Sequence, residues 1–166
     1  MSLDLFKRLG LFIIMCAVQI LILNHIHLFD VATPFLFVYF AISFRRGTPK
    51  WAILLWCFAM GLAVDVFSNT PGLASGALTL VGLIQPYLLE LFVPRDSTED
   101  LECSAATLGM GKYALLSSIL LFVFCLLFFV LEAFTFYNWI YWLICTGSST
   151  VLTLVLILAI ESIRKK

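Results

Sequence analysis

Charge is what this sequence has least of. Charged residues make up 12% of its 166 positions and hydrophobic ones 63%, against about 25% charged in ordinary soluble domains. No polar stretch is long enough to fold as a soluble catalytic domain. The five cysteines, Cys16, Cys57, Cys103, Cys125 and Cys145, form no Cys-x-x-Cys or Cys/His spacing, so neither a disulfide framework nor a zinc site is expected. Four of them sit in apolar runs, where a free thiol acts as a small hydrophobe. There is no phosphate-cradling glycine loop, no His-Glu-x-x-His, and no run of paired aspartates. Without a nucleophile, acid–base pair or metal cluster in mutual reach, neither an enzyme nor a bound cofactor is expected. Net charge is zero and gives no reason for a nucleic-acid partner.

What remains is apolar runs, and a hydrocarbon layer of about 30 Å needs about 20 helical residues per crossing. The expected fold is a single all-α polytopic membrane domain of six transmembrane helices, over about 5–23, 31–44, 51–67, 73–93, 113–131 and 139–160. The second is too short to cross upright, so the bilayer thins there or neighbouring helices shield it. The first run is longer than a signal peptide's apolar region and ends in Asn24-His25-Ile26-His27 without a small-x-small cleavage site, so it is expected to stay as an uncleaved span.

All ten basic residues fall before the first span, between the second and third, between the fourth and fifth, or after the sixth. The positive-inside rule then makes both termini cytoplasmic. Trp51 at an inner boundary, and Tyr137, Trp139, Tyr141 and Trp142 at an outer one, fit the headgroup layers. The Phe-rich run from Phe122 to Phe136 is expected to face lipid or a partner's helix. Glu90 and Glu161 lie near inner helix ends, where they can snorkel. The acidic segment Asp96–Glu102 reads as a solvated cytoplasmic loop or a contact for a basic surface.

The most informative stretch is Gly61-xxx-Asp65, followed by Thr70-Pro71-Gly72. An ionisable residue close to hydrocarbon is a functional-site hypothesis by default; the plainer reading is a helix end whose carboxylate is wet. Gly61 shares a helix face with Asp65, and its missing side chain would let a neighbouring helix or the following turn approach the carboxylate. Beyond the turn, Gly72, Ser75, Gly76, Thr79, Gly82 and Pro86 recur at spacings of three and four, the kind of small-residue stripe that lets membrane helices pack closely.

Gln19 and Asn24 near the end of the first span, Pro34 opening a short second one, and Gly61-xxx-Asp65 with Thr70-Pro71-Gly72 together resemble the MreD family of rod shape-determining proteins. The sequence departs from the family's pattern at Phe35, where an acidic or polar residue is frequent. The resemblance implies a non-enzymatic membrane scaffold of the bacterial rod, or elongation, complex in the cytoplasmic membrane. Its implied partners are MreC and, through the complex, the actin-like MreB and a penicillin-binding transpeptidase. An outer recess beside the short second span is then expected to receive a partner's transmembrane helix. Gln19, Asn24, Pro34, Gly61, Asp65, Pro71, Gly72, Ser75 and Gly76 are its candidate partner-binding residues, with close backbone approach at Gly61 and Gly76.

A second class stays open. Six short-looped helices with a truncated second span are also similar to the substrate-binding components of energy-coupling-factor vitamin transporters. Those carry small residues at spacing four on the first helix for docking. Here that helix reads Phe12-Ile-Ile-Met-Cys16-Ala-Val-Gln19, without the motif.

Overall fold

The computed structural model describes residues 2–21, 34–70, 72–93, 103–133 and 139–164. They form seven helices and no strand: α1 Ser2–Leu21, α2 Val38–Ile42, α3 Lys50–Ser68, α4 Leu73–Phe92, α5 Ala105–Leu108, α6 Met110–Ala133 and α7 Trp139–Arg164. Among the described residues, four helical stretches are long and apolar enough to cross a membrane: Lys50–Ser68, Leu73–Phe92, Met110–Glu132 and Leu143–Ile163. By length and composition the chain is a multi-pass helical membrane protein. The described part of α1 carries Asp4, Lys7 and Arg8 in its first two turns and is not among the four.

Packing is sequential where loops are short. The α3–α4 pair has the most extensive contact, followed by α4 with α6 and α6 with α7, while α1 lies against α3. Lys7, Arg8, Arg45, Arg46, Lys50, Lys112 and Arg164 start α1, α3 or α6, end α7, or lie in the turn before α3. These all belong to one end of the bundle, which we call the basic end.

The expected second span, 31–44, is not a membrane-length helix over its described part. Only Val38–Ile42 is α-helical, and every residue from Pro34 to Ile42 is buried. This segment touches α1, α3, α4 and α6 and is hydrogen-bonded to α7. It runs antiparallel to α1, since Leu36 meets Gln19 while Thr48 meets Arg8. Irregular backbone at membrane depth is tolerated only where protein shields it and satisfies its polar groups. Phe12, Phe40, Phe44 and Trp56 pack edge-on along one side of the segment. On the other, Phe35 and Phe37 meet Phe124 and Phe128, with the Phe35 and Phe128 centroids 4.8 Å apart. The expectation that the Phe-rich run faces lipid or a partner is thus corrected for Phe124 and Phe128, which are buried in this core, while Phe122 is exposed. Residues 134–136 of that run lie outside the described residues.

Candidate functional site

The turn between α3 and α4 brings much of the resemblance pattern together. α3 stops because Asn69 takes a left-handed conformation (φ 56°), one of the few non-glycine residues that do so at low cost. α4 starts from Gly72 at φ 88°, where a side chain would be strained. Gly72 has no side chain to cap the helix it opens, and Asp65 supplies the cap from α3. Its Oδ1 accepts from the Ala74 amide and its Oδ2 from the Ser75 amide, both at 2.9 Å. These are the second and third N–H groups of α4, the ones that a capping side chain normally takes. Thr70 Oγ1 donates to Oδ1 at 3.1 Å. Asp65 is 4% exposed, so it is not a wet helix end. Its negative charge faces the positive end of the α4 dipole.

Gly61 makes that distance possible. A β-carbon there would fall 2.6 Å from the Ser75 nitrogen and 2.8 Å from the Ala74 carbonyl carbon, and closer still to the Ser75 α-carbon. Further along the same interface Gly82 of α4 faces Cys57 of α3, with 2.7 Å between an added β-carbon and the Cys57 sulfur. Two glycines, one on each helix, therefore set the α3–α4 separation. Of the two approaches expected at Gly61, by the following turn or a neighbouring helix and by a partner, the space is filled by the first, the start of α4, which corrects the expectation of a partner there. Gly76 makes no close backbone approach: an added β-carbon would meet only the Leu131 side chain, at 4.0 Å.

The buried face of α4 consists of Ala74, Ser75, Ala77, Leu78, Val81, Gly82, Gln85 and Leu89. Of the expected small-residue stripe only Ser75 and Gly82 belong to it. Thr79 is partly exposed and turns its hydroxyl back to the Ser75 carbonyl at 2.6 Å.

A second cluster holds the irregular segment. Gln19 Nε2 donates to the Pro34 carbonyl and Gln19 Oε1 accepts from the Leu36 amide, each at 3.0 Å. Both ends of one side-chain amide are thereby used on the backbone of residues 34–36. The Phe35 amide donates to Thr153 Oγ1 of α7 at 3.1 Å, and Gln85 Nε2 of α4 donates to the Phe44 carbonyl at 3.2 Å. Gln19, expected as a partner contact, is instead buried and engaged inside the bundle. Asn24 and Pro71 lie outside the described residues, as do His25 and His27.

The third cluster went unread in the sequence. Glu161 is 1% exposed, which corrects the expectation that it snorkels. Its carboxylate accepts from Tyr39 Oη at 2.9 Å, from the Ala105 amide at 3.0 Å and from Ser104 Oγ, tying α2, α7 and the start of α5 at the basic end. Ser104 and Thr107 complete a capping box on α5. Cys103 beside it is buried; burial, and then the negative charge of Glu161, push its thiol up to about 12. A signal was present: Thr146, Ser149, Thr153, Ile157 and Glu161 recur at spacings of three and four, and all are buried.

Chemically, these clusters contain hydrogen-bonded carboxylates and amides that hold backbone in place. Among the described residues no group of three or more His, Cys, Asp or Glu is placed to hold a metal ion. Comparison with protein-family models, curated proteins and solved structures gives no match to this chain.

Proposed function

We propose that this protein is a non-enzymatic membrane scaffold of the bacterial rod complex, acting in cell-shape determination and in regulation of peptidoglycan synthesis through contact with MreC. The observation that carries the reading is what the resemblance residues do. Gln19 binds the backbone at Pro34 and Leu36, Asp65 binds Thr70 and the start of α4, and Gly61 admits that start. The pattern shared with the MreD family is thus made of contacts that define a bundle, not of scattered polar residues. Resemblance residues that define contacts of the fold, and are not incidental polar groups, support a like architecture, and the scaffold role follows from that likeness.

In this reading α1, the 31–44 segment, α3, α4, α6 and α7 are six crossings of the bacterial cytoplasmic membrane with both termini inside. The gathering of Lys and Arg at one end supports it. Because α4 occupies the face of Gly61, the contact with MreC belongs on the lipid-facing surface of the bundle. MreB and a transpeptidase are reached through the complex.

The test is replacement in a rod-shaped bacterium stripped of its own MreD. This chain should restore rods, and its purification should bring MreC with it. Round cells containing normal amounts of inserted protein that yields no MreC would refute the proposal.

A further inference from the structure

At the basic end, between the turn before α3 and the last turns of α4, lies a cavity of about 280 Å³ lined by Arg45, Arg46, Thr48, Lys50, Pro86 and Glu90, among others. Three cations and one carboxylate belong to that lining. A cleft lined by one dominant sign of charge concentrates the counter-ion, and guanidinium groups match the oxygens of a phosphate. Neighbouring contacts fix the lining. Arg8 Nη2 donates to Thr48 Oγ1 at 3.1 Å while its guanidinium lies 4.8 Å from the Phe44 ring centroid. Lys50 Nζ donates to Tyr87 Oη at 3.0 Å and stands 4.2 Å from the centre of that ring.

The surroundings decide which phosphate. Tyr87, whose hydroxyl and ring hold Lys50 of the lining, is 54% exposed. It offers apolar ring surface to acyl chains, which free phosphate lacks. The volume also falls just below the roughly 300 Å³ at which drug-sized sites begin, a fit for a headgroup. We propose that this cavity binds the phosphate of an anionic phospholipid headgroup, with Arg45, Arg46 and Lys50 as the phosphate-facing cations. A zwitterionic lipid presents the same phosphate with an added cation, which the three basic residues repel. Polybasic sites near a membrane surface gain about 1 kcal/mol per Lys or Arg, about fivefold in affinity each.

The experiment is native mass spectrometry of the full chain in detergent with equimolar phosphatidylglycerol and phosphatidylcholine. Phosphatidylglycerol adducts should dominate about tenfold or more. Arg45→Gln with Arg46→Gln should cut them about twentyfold, whereas Lys112→Gln, at the same end but not in the lining, should not. Glu90→Gln removes the carboxylate facing the anion and should raise phosphatidylglycerol retention, a gain that misfolding cannot produce. Equal retention of both lipids, or no gain with Glu90→Gln, overturns the proposal. Inorganic phosphate at about 10 mM should leave the lipid bound; if it displaces the lipid and itself binds, free phosphate is the ligand and the lipid assignment fails.

Discussion

Gly61 stands one turn before Asp65 on α3, and a β-carbon on Gly61 would fall 2.6 Å from the same Ser75 nitrogen that donates to the Asp65 carboxylate. One residue clears the space and the other uses it. The small residue and the acid are therefore a single device for seating the start of α4 against α3.

Removing the clearance should unseat the helix. Gly61→Ala must push backbone, not a flexible side-chain tip, and overpacking of this kind costs about 1–3 kcal/mol. Gly76→Ala, with only Leu131 at 4.0 Å, should be neutral. Thermal unfolding in detergent checks both, and a Gly61→Ala protein as stable as Gly76→Ala would show that α4 does not sit where described.

The acceptor matters as much as the space. Asp65→Asn can keep one amide acceptor but turns an NH₂ group toward the other donor, so one backbone N–H of α4 loses its partner. Hydrogen bonds to a charged group contribute about 1.5–3 kcal/mol, and a loss of that size is expected. Asp65→Glu keeps both acceptor oxygens and should lose less. The measurement is the denaturation midpoint of each variant at matched detergent; equal midpoints for Asn and wild type would contradict the capping role.

For Gly82 the neighbour is a sulfur, so a compensating change exists. Gly82→Ala should destabilise through the Cys57 sulfur at 2.7 Å, and Cys57→Ala should recover part of the loss, leaving the Cys57 β-carbon at 3.2 Å. A double-mutant cycle reads this as a non-additive pair. Strict additivity would mean that the two helices are further apart.

At the basic end, Cys103 reports on the Glu161 cluster. In a variant whose only cysteine is Cys103, maleimide at pH 8 should react slowly. The thiol is buried, and raising it from 9.0 to about 12 lowers the reactive thiolate about a thousandfold. Glu161→Gln removes a negative charge that favours the neutral thiol and weakens the bonds to Ser104 and Ala105, so both effects speed labelling, by about tenfold or more. An unchanged rate would separate Cys103 from Glu161.

The apolar runs were legible because lipid imposes length and composition on any crossing, and Lys50–Ser68, Leu73–Phe92 and the two later spans fall close to where those runs lie. The pairing of Gly61 with Asp65 was legible too, but the sequence leaves its partner open between the following turn, a neighbouring helix and a second protein. A small residue announces close approach without naming what approaches, and the nearest helix in sequence was the one. Residues 31–44 read as a short span because a helix is the default for apolar chain. The form of the described part, 34–44, depends on Gln19, Gln85 and Thr153, residues between 15 and 118 positions away. Glu161 was hidden for a different reason. Its place near a helix end suggested a wet carboxylate, while the polar stripe from Thr146 that shows it facing inward crosses four turns and is visible only when the whole helix is laid out.

The bond from the Phe35 amide to Thr153 joins residues 118 positions apart, and this orders events during synthesis. The segment leaves the ribosome well before α7, whose hydroxyl accepts its amide. Until then the Phe35 amide lacks this acceptor, while Gln19, 15 positions before Pro34, can already hold the Pro34 carbonyl and the Leu36 amide. A non-helical stretch so exposed cannot rest among lipid tails, so it must wait in the insertion machinery or at the membrane surface. The bundle closes around this segment only when α7 arrives.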